Sequence, residues 1–371
     1  MVDRVKPSKM EIWLGDKIAS SKSTQIADHG RADLAAYLAR LGRFDESRSL
    51  LNLLRQRNEN NPQIALSIRI HFAEGLLSYF IGGGVSSADG VQRAYALSAA
   101  AGIQGLQALA AAWLAQWDYT NVDFQSLCRH VVESLQLAAS DDHASRARAN
   151  LVVAQVLHLG GRLDLAQAWY SRTKDHATKG FDGATIGALM HNRSWQTMLV
   201  LRQALLTNAD NSGQGRHALL SAECTGNFDM MIGDSNWQAL KPILRAQIFS
   251  LMGDSGQALE LYEAHLSQDD LPNRWQSNVL ADKSWCHAVL GQQDEARACA
   301  TKAVANLADD TQIDDRAATH SRLAQVFDKF EESDEANRHK TLAESLWKEF
   351  SSKLMTAVEL LSVIDEDGRA S

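Results

Sequence analysis

The chain has 371 residues, 45% hydrophobic and 22% charged, the balance of an ordered globular protein long enough for a sizeable core. Only 4 prolines interrupt it, alanine and leucine dominate long stretches, and β-branched runs bounded by hairpin turns are absent, which argues against a sheet and for helix throughout. With 37 basic against 45 acidic side chains the net charge is −8 and no block of lysine and arginine stands out, so nucleic acid is a poor candidate partner.

Residues 1–26 read as an N-terminal helical segment or cap. Asp3, Lys6, Lys9, Glu11, Asp16 and Lys17 break any apolar signal core, and no run of 18 apolar residues follows, so a cytoplasmic location without membrane insertion is expected. Helical periodicity then predicts about eight antiparallel helix pairs over 27–350, near 27–58, 62–100, 103–139, 144–178, 183–231, 236–268, 275–308 and 314–350. Linkers are expected at 82–90, 178–183, 208–215 and 267–273. Residues 351–371 complete the chain as an amphipathic capping helix, Ser351 to Ile364, and a frayed acidic tail, DEDGRAS.

Spacing within the pairs reveals a repeat. When Gly161 is aligned with Gly253, alanine lies seven residues before each (Ala154, Ala246) and five after (Ala166, Ala258), and tyrosine nine after (Tyr170, Tyr262). The same template places Ala35 and Ser47 around Gly42, Ser284 and Ala296 around Gly291, and Ala324 and Ala336 around Glu331, where no glycine stands. Small residues at these places let two antiparallel helices nest closely, and glycine supplies the left-handed conformation that ends the first helix.

The strings LGRFDESRSLL (41–51), LGGRLDLAQAWY (159–170), MGDSGQALELY (252–262) and LGQQDEARACA (290–300) resemble the turn and second helix of tetratricopeptide repeats. The match is weaker at 60–140 and 180–235, the last two steps are 38 and 40 residues against the usual ~34, and the family's proline after each second helix is mostly missing. The resemblance implies an all-α, right-handed superhelical solenoid whose first helices line a concave surface.

Catalytic and metal motifs find no context. GDSG at Gly253–Gly256 and GDS at Gly233–Ser235 look like hydrolase strings, but the first lies in a helix–helix turn, and a nucleophile needs a positioned base and oxyanion donors. The glycines at 82–84 lack a phosphate loop's lysine and preceding strand. His130, His143, His158, His176 and His191 show no metal-ligand spacing, and Cys128, Cys224, Cys286 and Cys299 form no CxxC, reading as reduced, mostly buried thiols. Asp309, Asp310, Asp314 and Asp315 read as a solvated loop and helix start. Trp113, Trp117, Trp169, Trp195, Trp237 and Trp285 could build an aromatic cage or fill gaps between stacked helices, and gap-filling is the simpler role.

One stripe is less ordinary. Six residues before each turn anchor stand Ala36, Gln155, Gln247, Trp285 and Gln325, and along one helix Arg148, Leu151, Gln155 and His158 share a line. The resemblance implies that this stripe faces the concave groove, together with Asn192, Gln196, Asn278, Ser321 and Asp328. A glutamine amide there can hold a peptide backbone without regard to side chain, or a polar groove wall can simply tolerate it.

The expected function is a non-catalytic interaction module, with no cofactor or metal, that holds a peptide segment of a protein partner in the groove. The alternative is a regulatory sensor, since some bacterial signalling proteins of similar length resemble this chain in joining a leading helical segment to tetratricopeptide repeats that bind a small signal peptide. A helical-repeat enzyme would need convergent titratable groups, which the sequence does not offer.

Overall fold

In the computed structural model, which describes residues 6–82, 88–207, 212–236, 240–265, 273–307 and 311–369, the helix ends of the repeat close alike. Gly161 (φ 79°) and Gly253 (φ 85°) take the left-handed conformation, and the amide three residues past each helix end returns to a carbonyl five residues back, Arg162 N to Leu157 O at 2.8 Å and Asp254 N to Phe249 O at 2.9 Å. Glu331, without a glycine's freedom, holds the same place at φ 61°, and Val122 (φ 57°) and Phe181 (φ 55°) close two further turns in the poorly matching stretches. Their presence explains why glycine spacing loses the repeat there.

Seventeen α-helices and no strand occur among the described residues: α1 (Lys9–Ala19), α2 (Thr24–Arg40), α3 (Phe44–Asn60), α4 (Ile64–Gly82), α5 (Asp89–Ala100), α6 (Gln104–Thr120), α7 (Phe124–Leu137), α8 (His143–Leu159), α9 (Leu163–Lys179), α10 (Gly183–Gln203), α11 (Ser212–Ile232), α12 (Leu240–Leu251), α13 (Ser255–His265), α14 (Asn273–Val289), α15 (Gln293–Ala305), α16 (Ile313–Lys329) and α17 (Ser333–Ser362). From α2 on these are eight successive helix pairs. The expected linkers at 82–90 and 267–273 lie largely outside the described residues, the one at 208–215 does so only as far as 211, since from Ser212 the chain is already in α11, and 178–183 is the tight α9–α10 turn.

The slots reserved for small residues are shut. Ala35, Ser47, Ala154, Ala166, Ala246, Ala258, Ser284 and Ala296 are wholly buried, and Ala324 and Ala336 nearly so. Where serine replaces alanine its hydroxyl donates across the pair, Ser47 to Ala35 O at 2.8 Å and Ser284 to Ala296 O at 2.7 Å, so the polar atom enters the core satisfied.

The described chain forms two compact units: Met1–Leu189 with Asn227–Asn236 and Ala357–Ser371, and Met190–Gly226 with Trp237–Thr356. In the first, α2, α4, α6 and α8 pack successively on one another, over a core that includes Leu51, Leu66, Ile70, Leu76, Val91, Trp113 and Trp117. In the second, α12, α14 and α16 do the same around Ile243, Tyr262, Val279 and Cys286. Helix α4 is long and apolar enough to cross a membrane by length and composition. Here Leu66, Ile68, Phe72, Ala73 and Leu76 are buried against α2 and α5, and Arg69 pairs with Asp33.

Three expectations are corrected. The boundary at 350/351 does not exist: α17 runs unbroken across it, because no glycine or proline occurs between Ser333 and Ser362. The end of the chain is not frayed through Arg369. Arg146 donates to Glu366 O and to Asp367 Oδ1, both at 3.0 Å, Gln136 donates to Gly368 O at 3.2 Å, and Asp365 closes a turn with the Arg369 amide. The acid run is not simply solvated either. Asp309 and Asp310 lie outside the described residues, but Asp315 is buried and accepts from Asn278 Nδ2 at 3.0 Å, and burial raises the Asp314 carboxyl.

Candidate functional site

The first unit contains a cavity of about 540 Å³. Helix α1 supplies Met10, Trp13 and Leu14, α2 supplies Asp33, Ala36, Tyr37 and Arg40, and α4 supplies Arg69, Phe72 and Leu76. Leu106, Leu109 and Trp113 of α6 continue the apolar wall, and Asp141 to Ala144 with Lys179 to Asp182 close it from the turns at either end of the α8–α9 pair. Helix α1 stands there because Ser8 and Glu11 form a reciprocal capping box at its start and Leu14 buries against Tyr37 and Leu41.

Arg40, Asp142 and Asp182 are held by specific partners. Arg40 grips Asp182 with two nitrogens, at 2.9 and 3.0 Å, and donates to Thr185 Oγ1 at 2.7 Å. Asp182 also accepts from the Thr185 amide at 3.0 Å and shares a 2.8 Å hydrogen bond with the Thr185 hydroxyl. Burial alone would raise the Asp182 carboxyl; the Arg40 charge and these hydrogen bonds outweigh it and hold it below its ordinary value. Asp142 caps α8 through the Ser145 amide and hydroxyl. Burial keeps the Tyr37 phenol neutral, pushed up to about 12.

Trp113 is the centre of this arrangement. It is 3% exposed, yet its ring forms part of the cavity wall, with the Arg40 guanidinium 5.6 Å and the Arg148 guanidinium 4.0 Å from its centre. Arg148, on α8, is itself 5% exposed. Its Nε, sealed from solvent, has no hydrogen-bond partner, and no carboxylate lies within ion-pair distance among the described residues. Burial, reinforced by the Arg40 charge, pushes Arg148 down to about 9.

The expected glutamine stripe is turned into the protein instead of lining this cavity. Gln155 is buried, its amide nitrogen 3.3 Å from both Gln116 Oε1 and Leu151 O. Gln325 donates to Leu205 O at 2.9 Å and accepts from Arg322 at 2.8 Å. His158 meets the Tyr170 hydroxyl at 3.1 Å, Asn192 is half-buried, Gln196 is buried, and Trp285 lies under the Arg322 guanidinium at 5.5 Å. Ser321 is buried and accepts from Trp347 Nε1 at 3.0 Å, while Asp328 is exposed. The reason is packing: successive first helices lie directly on one another, so the stripe six residues before each turn becomes their contact surface.

Gln247 and Asn278 do meet, in the second unit. With Trp195, Arg202, Ile243, Val279 and Asp315 they surround a void of about 10 Å³, room for roughly one water molecule. Beside it Asp282 binds two arginines, Arg202 at 2.6 Å and Arg322 at 2.9 Å, and Arg322 also donates to Ser250 Oγ at 3.2 Å.

Sequence reasoning missed Tyr37, Arg40, Leu109 and Asp182. Only Asp182 carried a local signal, an aspartate three residues before Thr185 at a helix start, the pattern of an N-cap. The hydrolase-like strings prove structural: Asp254 Oδ1 accepts from the Gln257 amide at 3.2 Å, and Ser235 donates to Leu41 O at 3.0 Å. Four of the histidines make inter-helix contacts, His130 with Asp118 at 2.6 Å, His143 with His176 at 3.1 Å and His158 with Tyr170, while His191 stacks on Trp195 of its own helix. Of the free cysteines, Cys128 and Cys286 are buried, Cys299 is half-buried and Cys224 is exposed.

No family model and no curated protein matches the chain. Among solved structures it is similar to a Rap protein complexed with Competence and Sporulation Factor, with a TM-score of 0.52 and 12% identity over 87% of this chain and 98% of that one. At that identity the likeness is one of fold, and it agrees with the helical-repeat arrangement found here.

Proposed function

We propose that this chain is a non-catalytic receptor that holds a short peptide segment in the cavity of its first unit. The observation that carries this reading is the cavity itself. About 540 Å³ lies within the ~300–1,000 Å³ of clefts that hold small ligands, too little for a folded partner and suited to a few residues of extended chain. Its wall of Phe72, Leu76, Leu106, Leu109 and Trp113 offers apolar burial, and the charges around it give orientation. The fold likeness to a protein solved with Competence and Sporulation Factor adds support for a regulatory setting. A binding role also suits the ionisable groups at the wall, since Arg40 with Asp182 and Arg69 with Asp33 are engaged with each other.

The test is affinity selection. The full chain is mixed with a randomised hexapeptide pool and gel-filtered, and retained peptides are identified by mass spectrometry. Wild type should enrich a defined subset. Leu109→Trp, which enlarges a side chain of the cavity wall and so fills part of the open space, should enrich none while keeping the wild-type circular dichroism. Identical enrichment by the two proteins would remove the cavity as the binding place.

A further inference from the structure

We propose that the receptor selects its peptide by one large apolar side chain, phenylalanine- or leucine-like, which Trp13 and Phe181 hold where the cavity meets solvent. This rests on the peptide-receptor reading above and names the chemistry that the receptor selects.

Exposed rings are scarce in this molecule. Among the described residues every phenylalanine, tyrosine and tryptophan is buried or half-buried except Trp13, 43% exposed, and Phe181, 45% exposed. The two are far apart in sequence, on α1 and in the α9–α10 turn, yet both line the same cavity. Half-buried Leu106 and Leu109 of α6 line it too. Water satisfies an exposed charge such as Asp141 or Lys179 but gains nothing from an exposed ring, so at the rim the rings gain most from being covered.

Neither ring is there by default. The capping box and Leu14 fix α1, and Lys17 stands over the Trp13 indole at 5.0 Å without burying it. Phe181 occupies the turn position that Gly42, Gly161, Gly253 and Gly291 hold elsewhere, at φ 55°, where any side chain is strained. Val122 and Glu331 bear the same strain at their own turns, but neither lines the cavity. Phe181 does, and its ring meets no other ring among the described residues. Strain kept at a cavity wall points to a residue retained for what it touches.

The interior disfavours a charged anchor. Arg40 with Asp182 and Arg69 with Asp33 are closed pairs, and Asp142 caps its own helix. A charged side chain entering among Phe72, Leu106, Leu109 and Trp113 would lose its water without finding a free partner, whereas an apolar one gains from the same wall.

The experiment repeats the affinity selection with matched hexapeptide pools. One position, scanned along the peptide, is fixed as Phe, Leu, Gln, Glu or Lys, and the other five are drawn from Ala, Gly, Ser and Thr. Wild type should enrich the Phe and Leu pools over the other three. Phe181→Gly, which relieves the left-handed strain, should melt at or above wild type yet bind the selected peptides about tenfold more weakly. Trp13→Ala should weaken them similarly, and Phe181→Tyr, which keeps the ring, should retain them. Equal retention of the five pools, or a preference for Gln, Glu or Lys, overturns the apolar anchor; the receptor reading then stands if the fully randomised pool is still enriched, and falls if it is not. An apolar preference undiminished in both Phe181→Gly and Trp13→Ala overturns the assignment to these rings, as does a lower melting point for Phe181→Gly, which would make the ring a part of the fold.

Discussion

Each compact unit buries an arginine against a tryptophan, Arg148 on Trp113 in the first and Arg322 near Trp285 in the second, and the two treat it differently. In the second, Arg202 and Arg322 share Asp282, Arg322 is tied further to Ser250 and Gln325, and the adjoining void has room for about one water. In the first, Arg40 alone pairs with Asp182, Arg148 has no carboxylate within ion-pair distance among the described residues, and about 540 Å³ stays open beside Arg40 and Trp113. The same helical repeat thus yields a closed polar core in one place and an unfinished one in another. A satisfied network rigidifies; a deficit in charge and volume is where a ligand can contribute.

Removing the centre of the closed network should have the largest effect. Asp282→Ala leaves two buried guanidiniums without their carboxylate and should cost about 3–5 kcal/mol, read as a lower urea midpoint. A loss below ~1 kcal/mol would mean that the second unit tolerates unpaired charge as the first does, and the contrast would fail.

The histidine contacts sharpen the comparison through pH. His320 and His339, in the second unit, meet Nδ1 to Nδ1 at 2.8 Å, and burial, with His339 and neighbouring arginines for His320 and Arg338 for His339, lowers both to about 4. Unfolded, these rings bind protons near 6.5, so between 6.5 and 4 the unfolded chain carries more protons than the folded one. The stabilisation is complete above about 6.5 and is lost as pH falls toward 4; the full shift would give about 3 kcal/mol per ring, which partial solvent screening reduces to on the order of 2–3 kcal/mol for the pair. Thermal melts from pH 7 to 4 should show this slope, and His320→Asn with His339→Asn should flatten it. In the first unit His176 is lowered too, chiefly by burial and then by His143, but it is less enclosed and should contribute less.

The smallest effect has the opposite sign. Arg148→Met removes an uncompensated charge and forfeits a guanidinium–indole contact, so the free chain should gain about 1 kcal/mol net. A lower thermal midpoint would show that the stacking outweighs the imbalance.

Much of the fold was legible from few residues. Ala154, Ala166, Ala246 and Ala258 announced close helix contacts and are wholly buried, and the glycines at 42, 161, 253 and 291 are all left-handed. The pair limits read from periodicity fall within a few residues of the helices observed, except at α17, which continues past the expected limit at 350 to Ser362 because no glycine or proline interrupts it. The candidate site was much less legible. Gln155, Gln247 and Gln325 recur because the same helix face meets a neighbour at each step, and recurrence alone does not distinguish a contact face from a groove.

The amino-acid order by itself determined what is local and periodic: helix, turn, and the places where only a small side chain fits. Tertiary structure decided which charges find partners. Arg40 and Asp182 lie 142 residues apart, and Trp113 meets Arg148 from the first helix of the next pair. Whether a buried guanidinium has a carboxylate within about 3 Å depends on distances that no spacing along the chain encodes, because ion pairing acts through space while periodicity acts along the backbone.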